Sequence, residues 1–167
     1  MHVRIATCRP LPEPDDDAPP LLQALAAAGV AATVCDWRRD EIWMQPAATV
    51  VRSTWNSIHH LDALRAWAGR VGAAAALWNP PDVLLGNLHK IYLLGLAKRG
   101  VPVVPTVLLE RGGPAPLPRI CGDRGWRNVV LKPAVGAGSF ATHRMAADDP
   151  RAAEECARLV ADIRRRL

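Results

Sequence analysis

The stretch Val129-Val130-Leu131-Lys132-Pro133-Ala134-Val135-Gly136-Ala137-Gly138-Ser139 carries the residue types best suited to holding an anion. An apolar run delivers a lysine at its end, and a loop with two glycines follows. Glycines let backbone N–H groups approach a phosphate closely and turn inward around it. The lysine adds a point charge, and Ser139 adds a hydroxyl donor. Two readings fit these residues taken alone: a phosphate cradle, and a plain hairpin with a buried lysine stem. The loop is not a Walker A loop, because no Lys-Ser/Thr follows the second glycine. Nor is it a Rossmann fingerprint, because a strand rather than a helix is expected after it.

A second lysine stands in Asn87-Leu88-His89-Lys90, within the first turn of a helix predicted over 87–99. A cation there opposes the helix dipole at a cost of roughly 0.3–1 kcal/mol, which a bound anion relieves. A solvated surface lysine fits the same residues. Arg52, Ser53 and Thr54 close a predicted strand, and the carboxyl ends of parallel strands face ligand crevices. Arg52 suits a substrate carboxylate, and equally a surface ion pair.

The elements that must position these groups alternate. Val3–Cys8 reads as a strand that Pro10, Pro12 and Pro14 stop. Asp15-Asp16-Asp17 offers an N-cap to a helix with Leu21, Leu22, Leu25 and Ala28 on one face and Gly29 as its C′ residue. Strands are expected at 30–35, 47–52 and 74–78, with a helix over 58–71 on Leu61, Leu64, Ala68 and Val71. The resulting β-α-β-β-α-β order favours an α/β layer with a parallel sheet. After Pro81 come a helical turn at 82–85, the 87–99 helix, a strand-like stretch at 101–109 and a short helical segment at 119–125. The strand 128–132, the glycine loop and a returning strand at 140–145 follow. Asp148-Asp149-Pro150 caps a last helix with Cys156, Leu159, Val160 and Ile163 as its apolar stripe. That stripe is expected to cover a small sheet of strands near 103, 130 and 142. Asp148, Asp149, Glu154 and Glu155 read as that helix's start and solvated face.

The bulk numbers narrow the class. The chain has 167 residues, half of them apolar, enough for one core and part of another. No run approaches the length of a membrane span, and the N-terminus lacks a signal-peptide core, so a cytoplasmic location is the default. Cys8, Cys35, Cys121 and Cys156 form no metal-binding pattern and read as free, buried thiols. The net charge of +5 suits an anionic ligand. It argues little for nucleic acid, since the only dense basic run is Arg164-Arg165-Arg166.

Taken in order, the Asn-x-x-Lys90 helix, Gly100-Val101-Pro102-Val103-Val104-Pro105-Thr106, the strand ending in Lys132-Pro133 and the glycine loop resemble the ATP-grasp superfamily. Arg4–Cys8 with its Pro/Asp-rich loop, and Val51-Arg52-Ser53-Thr54-Trp55, are similar to the glutathione synthetase/ribosomal S6-modifying branch, with its cycloserine-biosynthesis ligase. The resemblance covers nearly the whole chain and about the first half of the family's length. It implies a Rossmann-like pre-ATP-grasp domain with a parallel sheet over 1–80. Over 81–167 it implies the small α+β N-terminal subdomain of an ATP-grasp fold, with the C-terminal half absent. It also implies that Lys90 and Lys132 contact the α- and β-phosphates of ATP, with Gly136, Ala137, Gly138 and Ser139 over the β- and γ-phosphates. The implied chemistry is a carboxylate–amine ligation through an acyl phosphate, with Mg²⁺ ligands outside this chain. Two residues depart from the pattern: His89 stands where an acidic residue is usual, and Asn56-Ser57 follow Trp55 in place of Asp-Tyr.

Three functions therefore compete: the ATP-binding portion of such a ligase, shortened; a non-catalytic or degenerate module with the same fold; and a basic nucleic-acid binder. The first two leave room for a partner or a missing segment over the C-terminal helix region. The ligands expected are ATP and a small carboxylate; no residue is singled out as catalytic.

Overall fold

The computed structural model describes residues 2–39 and 41–162. Ile163 of the expected stripe and the Arg164-Arg165-Arg166 run lie outside the described residues. The chain divides into two compact units, Met1–Leu88 and His89–Leu167. Residues 81–88, read from sequence with the second module, lie in the first unit.

In the first unit, β1 (His2–Thr7), β2 (Ala31–Asp36), β3 (Ala48–Ser53) and β4 (Leu77–Trp78) form one parallel sheet in the order β2-β1-β3-β4. Between them run α1 (Ala18–Ala27) and α2 (Leu61–Ala74), with α3 (Pro81–Gly86) following β4. Proline opens α1, and Gly29 takes φ +69° just beyond it, as a helix C′ residue does. The Leu21, Leu22 and Leu25 stripe of α1 is only half-buried, whereas Leu64, Trp67, Ala68 and Val71 of α2 are buried. Trp67 meets Trp37 and Trp43 edge to face, at ring centroids 6.0 and 5.3 Å apart. These three indoles, with Ala6, Cys8, Cys35 and Leu77, make the core on which Leu84, Leu85 and Leu88 also pack. Two edge-to-face contacts of this kind each add about 0.5–1.5 kcal/mol beyond the area they bury.

In the second unit, β5 (Asn128–Leu131) and β6 (His143–Ala146) pair antiparallel. The helices α5 (Leu117–Arg124) and α6 (Pro150–Asp162) pack around Leu117, Cys121, Val129, Ala152 and Cys156. Ala152, Cys156 and Val160 of α6 are buried, while Leu159 of the expected stripe is only half-buried. All four cysteines are free and buried, as their spacing led us to expect.

Four local expectations need correction. The 101–110 stretch forms no strand, so the sheet beneath α6 has two strands rather than three. Pro102 and Pro105 remove the donors a ladder needs. The helix predicted over 87–99 shrinks to α4 (Tyr92–Lys98), because the 89–90 backbone is drawn into contacts with the glycine loop. Asp17 occupies the N-cap of α1 without capping it by its side chain, which pairs with Arg52 instead. Glu155 is not on a solvated face: its side chain is 17% exposed and lies 2.9 Å from His143 Nε2. No helix among the described residues is long and apolar enough to cross a membrane.

Candidate functional site

β5 ends at Leu131 and releases Lys132 and Pro133 into the loop that returns to β6. Within the loop Gly138, Ser139 and Ala141 take φ of +57°, +58° and +46°. Glycine adopts this region freely, but Ser139 and Ala141 are held there at a cost of about 1–2 kcal/mol each. The loop's turns are closed by Phe140 N–H to Ala137 O at 3.0 Å and Thr142 N–H to Ser139 O at 3.1 Å. Left-handed residues placed among such turns aim successive N–H groups to one side, the arrangement that cradles anions.

His89 and Lys90 are fastened to this loop at three points. The Lys90 N–H donates to Ala134 O at 2.8 Å, and His89 and Val135 form an antiparallel bridge. The Lys90 ammonium donates to Gly136 O at 3.1 Å. Burial lowers the Lys90 pKa below the ordinary lysine value, and the charge of Lys132 lowers it further. Two cations thus face one loop, an arrangement that an anion between them would relieve.

Lys90, Lys132, Pro133, Gly136, Ala137, Gly138, Ser139, Phe140 and Thr142 line a cavity of about 240 Å³. All six phosphate-contact residues expected from sequence therefore lie on one wall system. Phe140 and Thr142 were not expected; a lone aromatic and a lone threonine carry no sequence signal until the loop's turns place them. The lining supplies ammonium, hydroxyl and loop-backbone donors, so it fits phosphate oxygens, and it offers a divalent cation no carboxylate. A larger cavity of about 310 Å³, lined by Gly112, Gly113, Ala115, Ala157, Val160 and Ala161, has no ionisable group.

Arg52, Ser53 and Thr54 belong to the first unit. The sheet order reverses between β1 and β3, and α/β sheets bind ligands at the strand carboxyl ends of such a switch point. The β1–β3 register slips there: Ala6 pairs with Val51 and Thr7 with Ser53, so Arg52 has no partner on β1. Such an irregularity re-aims a side chain. The Arg52 guanidinium donates to Asp15 at 2.8 Å and to Asp17 at 2.9 Å, and the Ser53 hydroxyl donates to Asp15. The Asp15 side chain is 5% exposed and that of Asp17 86%. Sequence reasoning missed both carboxylates, having assigned them to helix capping. Thr54 is buried at the start of the 3-10 turn that follows β3.

Residues 3–79 match the family model described as D-cycloserine synthetase DcsG, N-terminal domain. Among curated proteins, the cycloserine biosynthesis protein DcsG of Streptomyces lavendulae is 37% identical over 102 residues. The aligned region is 60% of this chain and 34% of that protein. The crystal structure of D-cycloserine synthetase DcsG superposes with a TM-score of 0.84 at 31% identity, over 97% of this chain and 56% of that one. The chain thus spans little more than half the length of the solved relative it matches.

Proposed function

We propose, for a chain that is cycloserine-synthetase-like at its N-terminal portion in sequence and fold, that it forms the phosphate-holding and substrate-facing part of an ATP-grasp carboxylate–amine ligase. The observation that carries this is the convergence of Lys90 and Lys132 on one left-handed glycine loop. In this reading Lys90 and Lys132 neutralise the α- and β-phosphates, while Gly136, Ala137, Gly138 and Ser139 fold over the β- and γ-phosphates. ATP, when bound, supplies the phosphoryl group that turns a substrate carboxylate into an acyl phosphate. Mg²⁺ bound with the nucleotide would find no carboxylate in this cavity. The chain's own contribution is positioning and charge neutralisation, which dominate phosphoryl transfer.

The β1/β3 crevice takes the small carboxylate substrate. Asp15, itself fixed by the Ser53 hydroxyl, holds the Arg52 guanidinium in place, and the exposed Asp17 is the contact that an incoming carboxylate exchanges with. Hydrogen exchange of the full chain tests the nucleotide part. Mg-ATP is expected to slow exchange of the 134–142 amides severalfold, and unchanged exchange there would remove the phosphate role.

A further inference from the structure

Lysine is scarce in this chain. Lys90, Lys98 and Lys132 are the three lysines among 21 lysines and arginines. Arginine keeps its proton, whereas lysine can lose it and become a nucleophile. The positions of the lysines are therefore informative. Lys98 is exposed in the last turn of α4, where a cation complements the helix dipole. The other two line one cavity of about 240 Å³. Lys132 is exposed there, and Lys90 is half-buried. The Lys90 nitrogen is held at the wall by its bond to Gly136 O at 3.1 Å, and its backbone is held by Ala134 O at 2.8 Å. An amine and an ammonium can both donate to a carbonyl, so the bond to Gly136 survives proton loss and leaves the amine's lone pair unused. Burial and the charge of Lys132 both favour the neutral amine.

A nucleophile inside a phosphate cradle meets whatever electrophile the bound phosphate carries. An acyl phosphate carries its electrophilic carbon directly on a phosphate oxygen. Resting on the phosphate reading above, we infer that Lys90 is an acylation site for small acyl phosphates drawn into this cavity. Lys132, the Ser139 hydroxyl and the loop N–H groups hold the phosphoryl group, and the acyl carbon then shares the cavity with the Lys90 amine. The amine nitrogen attacks that carbon. An N–C amide bond forms, the bond from the acyl carbon to the phosphate oxygen breaks, orthophosphate leaves, and the nitrogen gives up one proton to solvent. The amide carries no charge, so the acylated cradle keeps one cation in place of two.

The test uses acetyl phosphate as the probe. The full chain is incubated with it at fixed ionic strength in mildly alkaline buffer, and peptide mass mapping follows acetylation of each lysine. Lys90 is expected to react about tenfold or more faster than the exposed Lys98, the least that a shared cavity should supply. Excess inorganic phosphate should erase that preference, and so should Lys132→Met, which leaves Lys90 in place. The succinimidyl ester of acetic acid, an acetyl donor without phosphate, should show no preference for Lys90. Equal rates at Lys90 and Lys98 with acetyl phosphate, or a preference that persists with excess phosphate or with the succinimidyl ester, would overturn the assignment. Calorimetry of Mg-ATP on the same protein separates the two readings. Nucleotide binding without a Lys90 preference overturns the acylation alone, whereas loss of both overturns the phosphate reading with it.

Discussion

Lys90 and Lys132 decide the character of the cavity because they are the two formal charges on its wall. Lys90 already bears the cost of that pairing, since burial and the neighbouring lysine hold its pKa below the ordinary value. The consequence has a definite sign. Between the lowered and the ordinary lysine pKa, the unfolded chain binds more protons than the folded one. Stability in this window therefore rises with pH. A phosphate beside Lys90 restores its affinity for a proton, so nucleotide binding in mildly alkaline buffer should take up protons. Titration in buffers of differing ionisation enthalpy measures this. Uptake should vanish in Lys90→Met, and equal uptake in both proteins would separate Lys90 from the phosphate. The glycine loop was legible in sequence as a turn between two strands, because its glycines and the preceding Lys132-Pro133 end the apolar run. The Arg52–Asp15 pair was not, because its members lie 37 residues apart and only the sheet brings them together.

At the scale of elements, β1 to β3 were readable because apolar runs ended in prolines, aspartates or glycine. Their parallel pairing followed from the intervening helices. The failures had tertiary causes. Residues 87–91 carry helix-forming types, yet His89 and Lys90 bond to the glycine loop, and no local pattern reports that loop's position. One packing contact was equally invisible. A Cβ added at Gly72 on α2 would overlap the Pro81 ring of α3. Gly72→Ala should therefore force α2 and α3 apart and cost about 1–3 kcal/mol. Urea unfolding followed by tryptophan emission checks this, and a neutral result would mean that α3 is free to shift. Gly69, one turn earlier, meets nothing within 4 Å at its Cβ position, so Gly69→Ala should be neutral or slightly stabilising.

At the scale of the molecule, each unit presents a cluster suited to a negatively charged group. In the first it is Arg52, held at the switch point of a parallel sheet; in the second it is the lysine-flanked loop of a two-stranded sheet. The sequence signals restart after Pro81, whereas the first unit runs on to Leu88 because Leu84, Leu85 and Leu88 pack on its core. The depth of the first core was not legible, because three scattered tryptophans give no hint that they converge. The central claim is that the second cluster holds nucleotide phosphates. Calorimetric titration of Mg-ATP into the full chain, with Lys132→Ala beside it, tests that most directly. The account predicts saturable binding to the parent, weakened about tenfold or more by the substitution, the usual worth of a charge-assisted bond. Absence of binding, or binding that Lys132→Ala leaves untouched, would contradict it.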